Sequence, residues 1–194
     1  MRTSSPAKRA ILAAAAIAVL LLLEGSKNFS DDPRRSEKAA AADLMKTAIW
    51  TIKAERERLG IPRNPMIDPG GTGLIGEAYN DLTTTTGSLA SKRTSTNTQF
   101  AAVVVGMLEE AGVRTGDPVA VSFSGSFPAL NIAVLSAAFA MKLRPVIISS
   151  VGASMYGANL PELTWLDMER ILSEKGVLPY RSIAASLGGI ADTR

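Results

Sequence analysis

Two side chains are missing from all 194 residues: there is no cysteine and no histidine. The first absence excludes disulfides, thiolate nucleophiles and lipoprotein attachment. The second removes the usual zinc ligand sets and every histidine-based general acid or base. Catalysis would have to run on carboxylates, lysine, tyrosine, hydroxyls or an ion held by oxygen ligands. Aromatics are scarce at 5%, and an excess of positive charge exists only at one end. Residues 1–38 hold seven Lys/Arg against four Asp/Glu, residues 39–194 fourteen against fourteen, so the net +3 belongs to the N-terminal segment. A neutral body with few aromatics has no electrostatic footprint for DNA or RNA, and no nucleic acid partner is expected. The hydrophobic content of 46% suffices for one globular domain plus an appendage.

That appendage is membrane-directed. Arg2, Lys8 and Arg9 precede fourteen uninterrupted apolar residues, Ala10 to Leu23. As a helix the run covers about 21 Å of a hydrocarbon core about 30 Å thick, a length that suits a signal-peptide core. Cleavage chemistry argues otherwise: Glu24 and Lys27 follow, and the one small-x-small triplet, Ala16-Ile17-Ala18, lies inside the run. Residues 1–26 are therefore read as an uncleaved signal anchor whose flanking lysines reach the interface. The flanking positive charges are nearly tied, and the body is expected outside the cytoplasm.

Residues 27–62 read as a charged spacer and an amphipathic helix, capped by Ser36, with Leu44, Met45, Ala48, Ile49 and Ile52 on one stripe and Gly60 as its left-handed stop. Residues 63–194 read as an α/β domain. "TQFAAVVVGMLEEAG" predicts a helix with Phe100, Val103, Val104, Met107 and Leu108 inward. "PVAVSF" and "PVIISS" predict buried strands, separated by a helix over "PALNIAVLSAAFAMK". Thr164-x-x-Asp167 is a capping-box variant opening the next helix, and "VLPYRSI" predicts a third strand. The alternation implies a small parallel, Rossmann-like sheet flanked by helices.

In such folds ligands bind beyond the carboxyl ends of the strands. Both ends are rich in hydroxyls and glycine: Ser122, Ser124, Gly125 and Ser126 after the first, Ser149, Ser150, Gly152 and Ser154 after the second. A third hydroxyl-rich run, "TTTTGSLASKRTSTN" (Thr83 to Asn97), carries the Lys92-Arg93 pair and is on composition alone a loop or linker. Asp68 before "PGGTG" is turn chemistry, and Gly70, Gly71, Gly73 and Gly76 match no phosphate-loop spacing. Neither a cofactor nor a metal site is assigned. Trp50 and Trp165 read as packing residues.

From about Asp68 onward the chain resembles the poly-gamma-glutamate system proteins, which accompany the machinery that makes and exports that polymer. The resemblance rests on "TGLIG", "TTTTGSLASKRTSTN", "GDPVAVSFSGSFPALN", "IISSVGAS" and "GANLPELTWLDMER" in that order. It implies a membrane-associated accessory role with poly-gamma-glutamate or its synthase subunits as partners, and it implies no reaction, since there are no established catalytic residues to carry over. It also makes Thr83 to Asn97 a structured, functional stretch. Members of the family continue further, so a three-stranded sheet implies a truncated chain or completion by a partner. The expected ligand-binding set is Thr84, Thr85, Lys92, Arg93, Ser124, Gly125, Ser126, Ser149 and Ser150. Within it, Arg93 is expected beside the Ser124-Gly125-Ser126 turn, gripping a carboxylate bidentately. The alternative is a serine-dependent amide hydrolase or transferase that trims or releases the polymer, with Ser126 or Ser124 as nucleophile and Lys92 as base; "FSGSFP" lacks the G-x-S-x-G elbow.

Overall fold

The computed structural model describes residues 32–189. The expected anchor, residues 1–26, lies outside the described residues; among the described residues no helix is long and apolar enough to cross a membrane. The elements are α1 (Arg35–Arg58), β1 (Thr83–Thr85), α2 (Leu89–Ser95), α3 (Gln99–Glu110), β2 (Pro118–Ser124) and α4 (Pro128–Ala140). They continue with β3 (Arg144–Ser150), β4 (Ala153–Ser154), β5 (Asn159–Leu160), β6 (Leu163–Thr164), α5 (Trp165–Glu174) and β7 (Ala184–Ser186).

Helix α1 buries Ala41, Met45, Ala48, Ile49 and Ile52, the expected stripe, with Leu44 at its margin. It begins at Arg35, one residue before the expected cap, so Ser36 sits within the first turn and its hydroxyl donates to Glu37. Its end is a Schellman motif: Gly60, at φ 69°, donates to the Glu57 carbonyl and Ile61 to that of Arg56. The same pair of hydrogen bonds ends α3 at Gly112-Val113, α4 at Lys142-Leu143 and α5 at Gly176-Val177. Three of these stops are glycine; Lys142, at φ 55°, is the exception. Thr164 and Asp167 form the expected capping box, each side chain bonding the other's backbone N–H.

Strands β2, β3 and β7 form a parallel sheet in that order. Both connections step towards the same edge, and right-handed crossovers then deliver α4 and α5 to one face. Phe123 and Ile147 point into the core on that face, and Phe123 meets the α5 ring of Trp165 edge-on at 5.5 Å. On the opposite face Ala120, Ser122, Val146 and Ile148 are exposed. The expectation of a sheet flanked by helices, built from fully buried strands, is corrected here: the helices cover one face and the strands alternate.

The third strand is also displaced. "VLPYRSI" does not pair as expected; Leu178 is buried in the core, Tyr180 donates its hydroxyl to the Leu143 carbonyl at 3.3 Å, and Pro179 has no N–H to give a ladder. Pairing starts at Ile183, whose N–H reaches the Ile147 carbonyl, and β7 follows.

Helix α4 is buried almost all round, through Ile132, Ala133, Leu135 and Ala137, because it packs on α3 and shares one core with the sheet and α1. In α3 the inward residues are Ala101 and Val105, with Phe100, Val104 and Leu108 beside them. Val103 and Met107, expected inward, are exposed. Two minor pairings complete the fold: β1 runs parallel to β4, and β5 antiparallel to β6.

Candidate functional site

At the carboxyl ends of β2 and β3 two turns pack directly on each other. A Cβ added at Gly125 would lie 2.8 Å from the Val151 carbonyl oxygen, and one at Gly157 would lie 2.6 Å from that of Gly125. Only glycine permits this approach. Hydrogen bonds complete the joint: Ser154 N–H donates to Ser126 Oγ at 3.1 Å, and Ala158 N–H to the Gly125 carbonyl at 2.7 Å. Asn131, in the first turns of α4, donates to the Ser124 carbonyl at 2.8 Å. Ser126 N–H donates to Ser124 Oγ at 3.3 Å.

Lys92 enters this joint from α2 and is 2% exposed. Its Nζ donates to Ser154 Oγ at 2.7 Å and to the Ser126 carbonyl, and lies 3.5 Å from the centroid of the Phe127 ring. Among the described residues no carboxylate pairs with it, and burial pulls its pKa down to about 8. The cavity beside it is about 10 Å³, room for one water at most.

Thr83 to Asn97 is therefore ordered: strand β1, a Ser88 cap whose hydroxyl accepts from Ser91 N–H, and helix α2. Composition had suggested a linker because hydroxyls that bond their own backbone look the same in a list of residues as hydroxyls that are solvated.

Of the expected site residues, the structure brings Lys92, Ser124, Gly125 and Ser126 together. It separates the others. Arg93 does not sit beside the Ser124-Gly125-Ser126 turn as expected; one residue further round α2, its guanidinium donates to the carbonyls of Ile67 and Met66. Thr84 and Thr85 lie on the exposed edge of β1, where Thr84 Oγ1 reaches the Ala153 carbonyl at 3.3 Å. Ser149 points into the core and accepts from Trp165 Nε1 at 3.2 Å; it also bonds Ser182, whose hydroxyl and N–H both donate to the buried Glu169 carboxylate. Ser150 borders a groove of about 240 Å³ with Ser122, Ile148 and Ser186. Adjacent strand residues send their side chains to opposite faces, so although Ser149 and Ser150 both border this groove, their hydroxyls point to different sides of the sheet.

Ser154, not Ser124 or Ser126, is the hydroxyl that meets the Lys92 amine. A hydroxyl 2.7 Å from an amine of pKa about 8 is the arrangement of a serine–lysine pair, here closed within the joint. Asp68 is a turn residue as expected, buried and accepting from Gly73 N–H at 2.8 Å. Of the two tryptophans, Trp165 is packed, whereas Trp50 is 65% exposed and does not pack as expected. Comparison with family models, with curated proteins and with solved structures gives no match to this chain.

Proposed function

We propose that the chain is a membrane-anchored accessory subunit of a poly-gamma-glutamate biosynthesis and export system, with an extracytoplasmic body that binds and assembles rather than catalyses. The observation that carries the reading is the closed joint around Lys92. The blocks on which the resemblance rests converge on it: Lys92 from the hydroxyl-rich stretch, Ser126 from "FSGSFP", Ser154 from "SSVGAS". Such a joint holds its shape and offers a polymer no entry at Lys92. The sheet face that no described helix covers supports assembly, since parallel sheets ordinarily have both faces covered and apolar patches mark interaction surfaces. On this reading the three strands are one half of a Rossmann-like arrangement.

In cells that make the polymer, deleting the chain should lower the yield of exported polymer, and restoring it with Ser154→Ala should return that yield. Purified full-length chain should leave polymer length unchanged on a gel. Unaltered yield on deletion overturns the proposal. The 2.7 Å Lys92–Ser154 contact favours a second reading, an amide hydrolase using Ser154 as nucleophile and Lys92 as base. Shortening of the polymer that requires both Ser154 and Lys92 would establish it instead.

A further inference from the structure

On α1, Lys46, Trp50 and Lys53 share one outward stripe, four and three residues apart. The stripe walls a cleft of about 440 Å³ whose other sides are the Gly70–Thr72 turn and the junction of α2 and α3 at Thr96 and Thr98. Lys46 Nζ lies 5.3 Å from the Trp50 ring centroid. Neither lysine makes an ion pair among the described residues, and no carboxylate lines the cleft. Thr98 does not spend its hydroxyl on capping α3.

The exposed indole and the two ammonium groups without an ion pair among the described residues set apolar cover and positive charge side by side along one cleft. We infer that this cleft binds an extended polycarboxylate chain. The two lysines are spaced by about 10 Å of helix rise, so they engage successive carboxylates rather than converge on one group. Lysine suits such a ligand, acting as a point charge that tolerates sliding where arginine would demand a fixed bidentate geometry. The indole covers the methylenes between carboxylates, and the Thr98 hydroxyl is placed for a backbone amide, those of Thr72 and Thr96 being held by Asp68 and the Arg93 carbonyl. A polyphosphate has no apolar segment to offer the ring. The inference takes its natural ligand from the proposed function and places it on a surface distant in sequence from the strand ends.

The chain has two tryptophans, and Trp165 is fully buried, so acrylamide quenching of fluorescence reports chiefly on Trp50. Full-length protein in neutral detergent would be titrated with poly-gamma-glutamate, poly-alpha-glutamate, polyphosphate and dextran. The glutamate polymers should protect Trp50 from quenching, dextran should not, and polyphosphate should protect less. Lys46→Gln with Lys53→Gln should raise the half-saturating polymer concentration by about tenfold, with circular dichroism unchanged, and added salt should do the same to the parent protein. Equal protection in the double variant, stronger protection by polyphosphate, or none by either glutamate polymer overturns the inference. Normal polymer yield in cells lacking the chain would remove the proposed function and leave Trp50 protection standing. Full rescue of yield by a double variant that has lost protection would remove this site alone.

Discussion

The side-chain amide of Asn159 holds the backbone of Glu77 at both ends: Oδ1 accepts from Glu77 N–H at 3.0 Å and Nδ2 donates to the Glu77 carbonyl at 2.9 Å. Nδ2 also donates to Thr83 Oγ1 at 3.0 Å, and Asn159 is fully buried. One amide thus brackets Glu77, whose carbonyl also accepts from Tyr156 N–H at 2.7 Å. Asn159→Asp keeps the shape, loses both donated bonds and buries a charge. It should cost about 2–3 kcal/mol, lowering Tm by about 5–10 °C in a thermal melt followed by circular dichroism.

Gly76 lies against the same amide, and a Cβ there would overlap Asn159 Oδ1 and the Gly157 carbonyl. Both neighbours are fixed by hydrogen bonds or backbone, so neither yields cheaply. Gly76→Ala should cost about 3 kcal/mol or more. Gly70→Ala, which meets only a Thr72 methyl at 3.6 Å, is the control and should stay within about 1 kcal/mol of the parent in urea melts.

Lys92 carries a pH signature. Burial sets its folded pKa at about 8 against an ordinary 10.5, so between those values the unfolded chain holds a proton that the folded chain has lost. Stability therefore rises with pH through that window, and below it the full cost of enclosing the charge is present. Urea midpoints taken from pH 7.5 to 10 should climb in the parent and stay flatter in Lys92→Met.

The uncovered face of the sheet makes neighbouring isoleucines unequal. Ile147 is 1% exposed and Ile148 is 50% exposed. Ile147→Ala should cost about 2–4 kcal/mol by leaving a core cavity, and Ile148→Ala under about 1 kcal/mol. Comparable losses at both positions, measured by urea denaturation of the isolated protein, would mean that the outer face is covered in solution.

Local punctuation carried most of the fold that the sequence revealed. Gly60 as the stop of α1 and Thr164 with Asp167 at the start of α5 act through their own backbone within a few residues, so their effect needs no knowledge of partners. The face of α3 was not legible in the same way: Val103, Val104 and Val105 present two equally apolar stripes, and only packing on α4 chooses the one with Ala101 and Val105. "PVII" is apolar throughout, and nothing in it states that Val146 and Ile148 face outward; that follows from both crossovers turning the same way. In the candidate site, glycine and serine marked the strand ends correctly. Lys92 and Arg93 could not be told apart by type, since a step of one residue around α2 sends one inward to Ser154 and the other to the Met66–Ile67 carbonyls.

The joint at the strand ends also sets an order of events during synthesis. Its members come from residues 76–77, 83, 92, 124–126 and 151–159, so the joint cannot close until the last of them have been made. A nascent chain emerging from the ribosome can form α1 and α3 from local contacts, but Glu77, Thr83 and Lys92 stay hydrated, without their Asn159 and Ser154 bonds, until those residues arrive. The interval is long, and it falls while the apolar α4 segment is already outside the tunnel. Premature termination between β3 and β5 would release a chain with most of its core and without the Asn159 bonds that complete the joint.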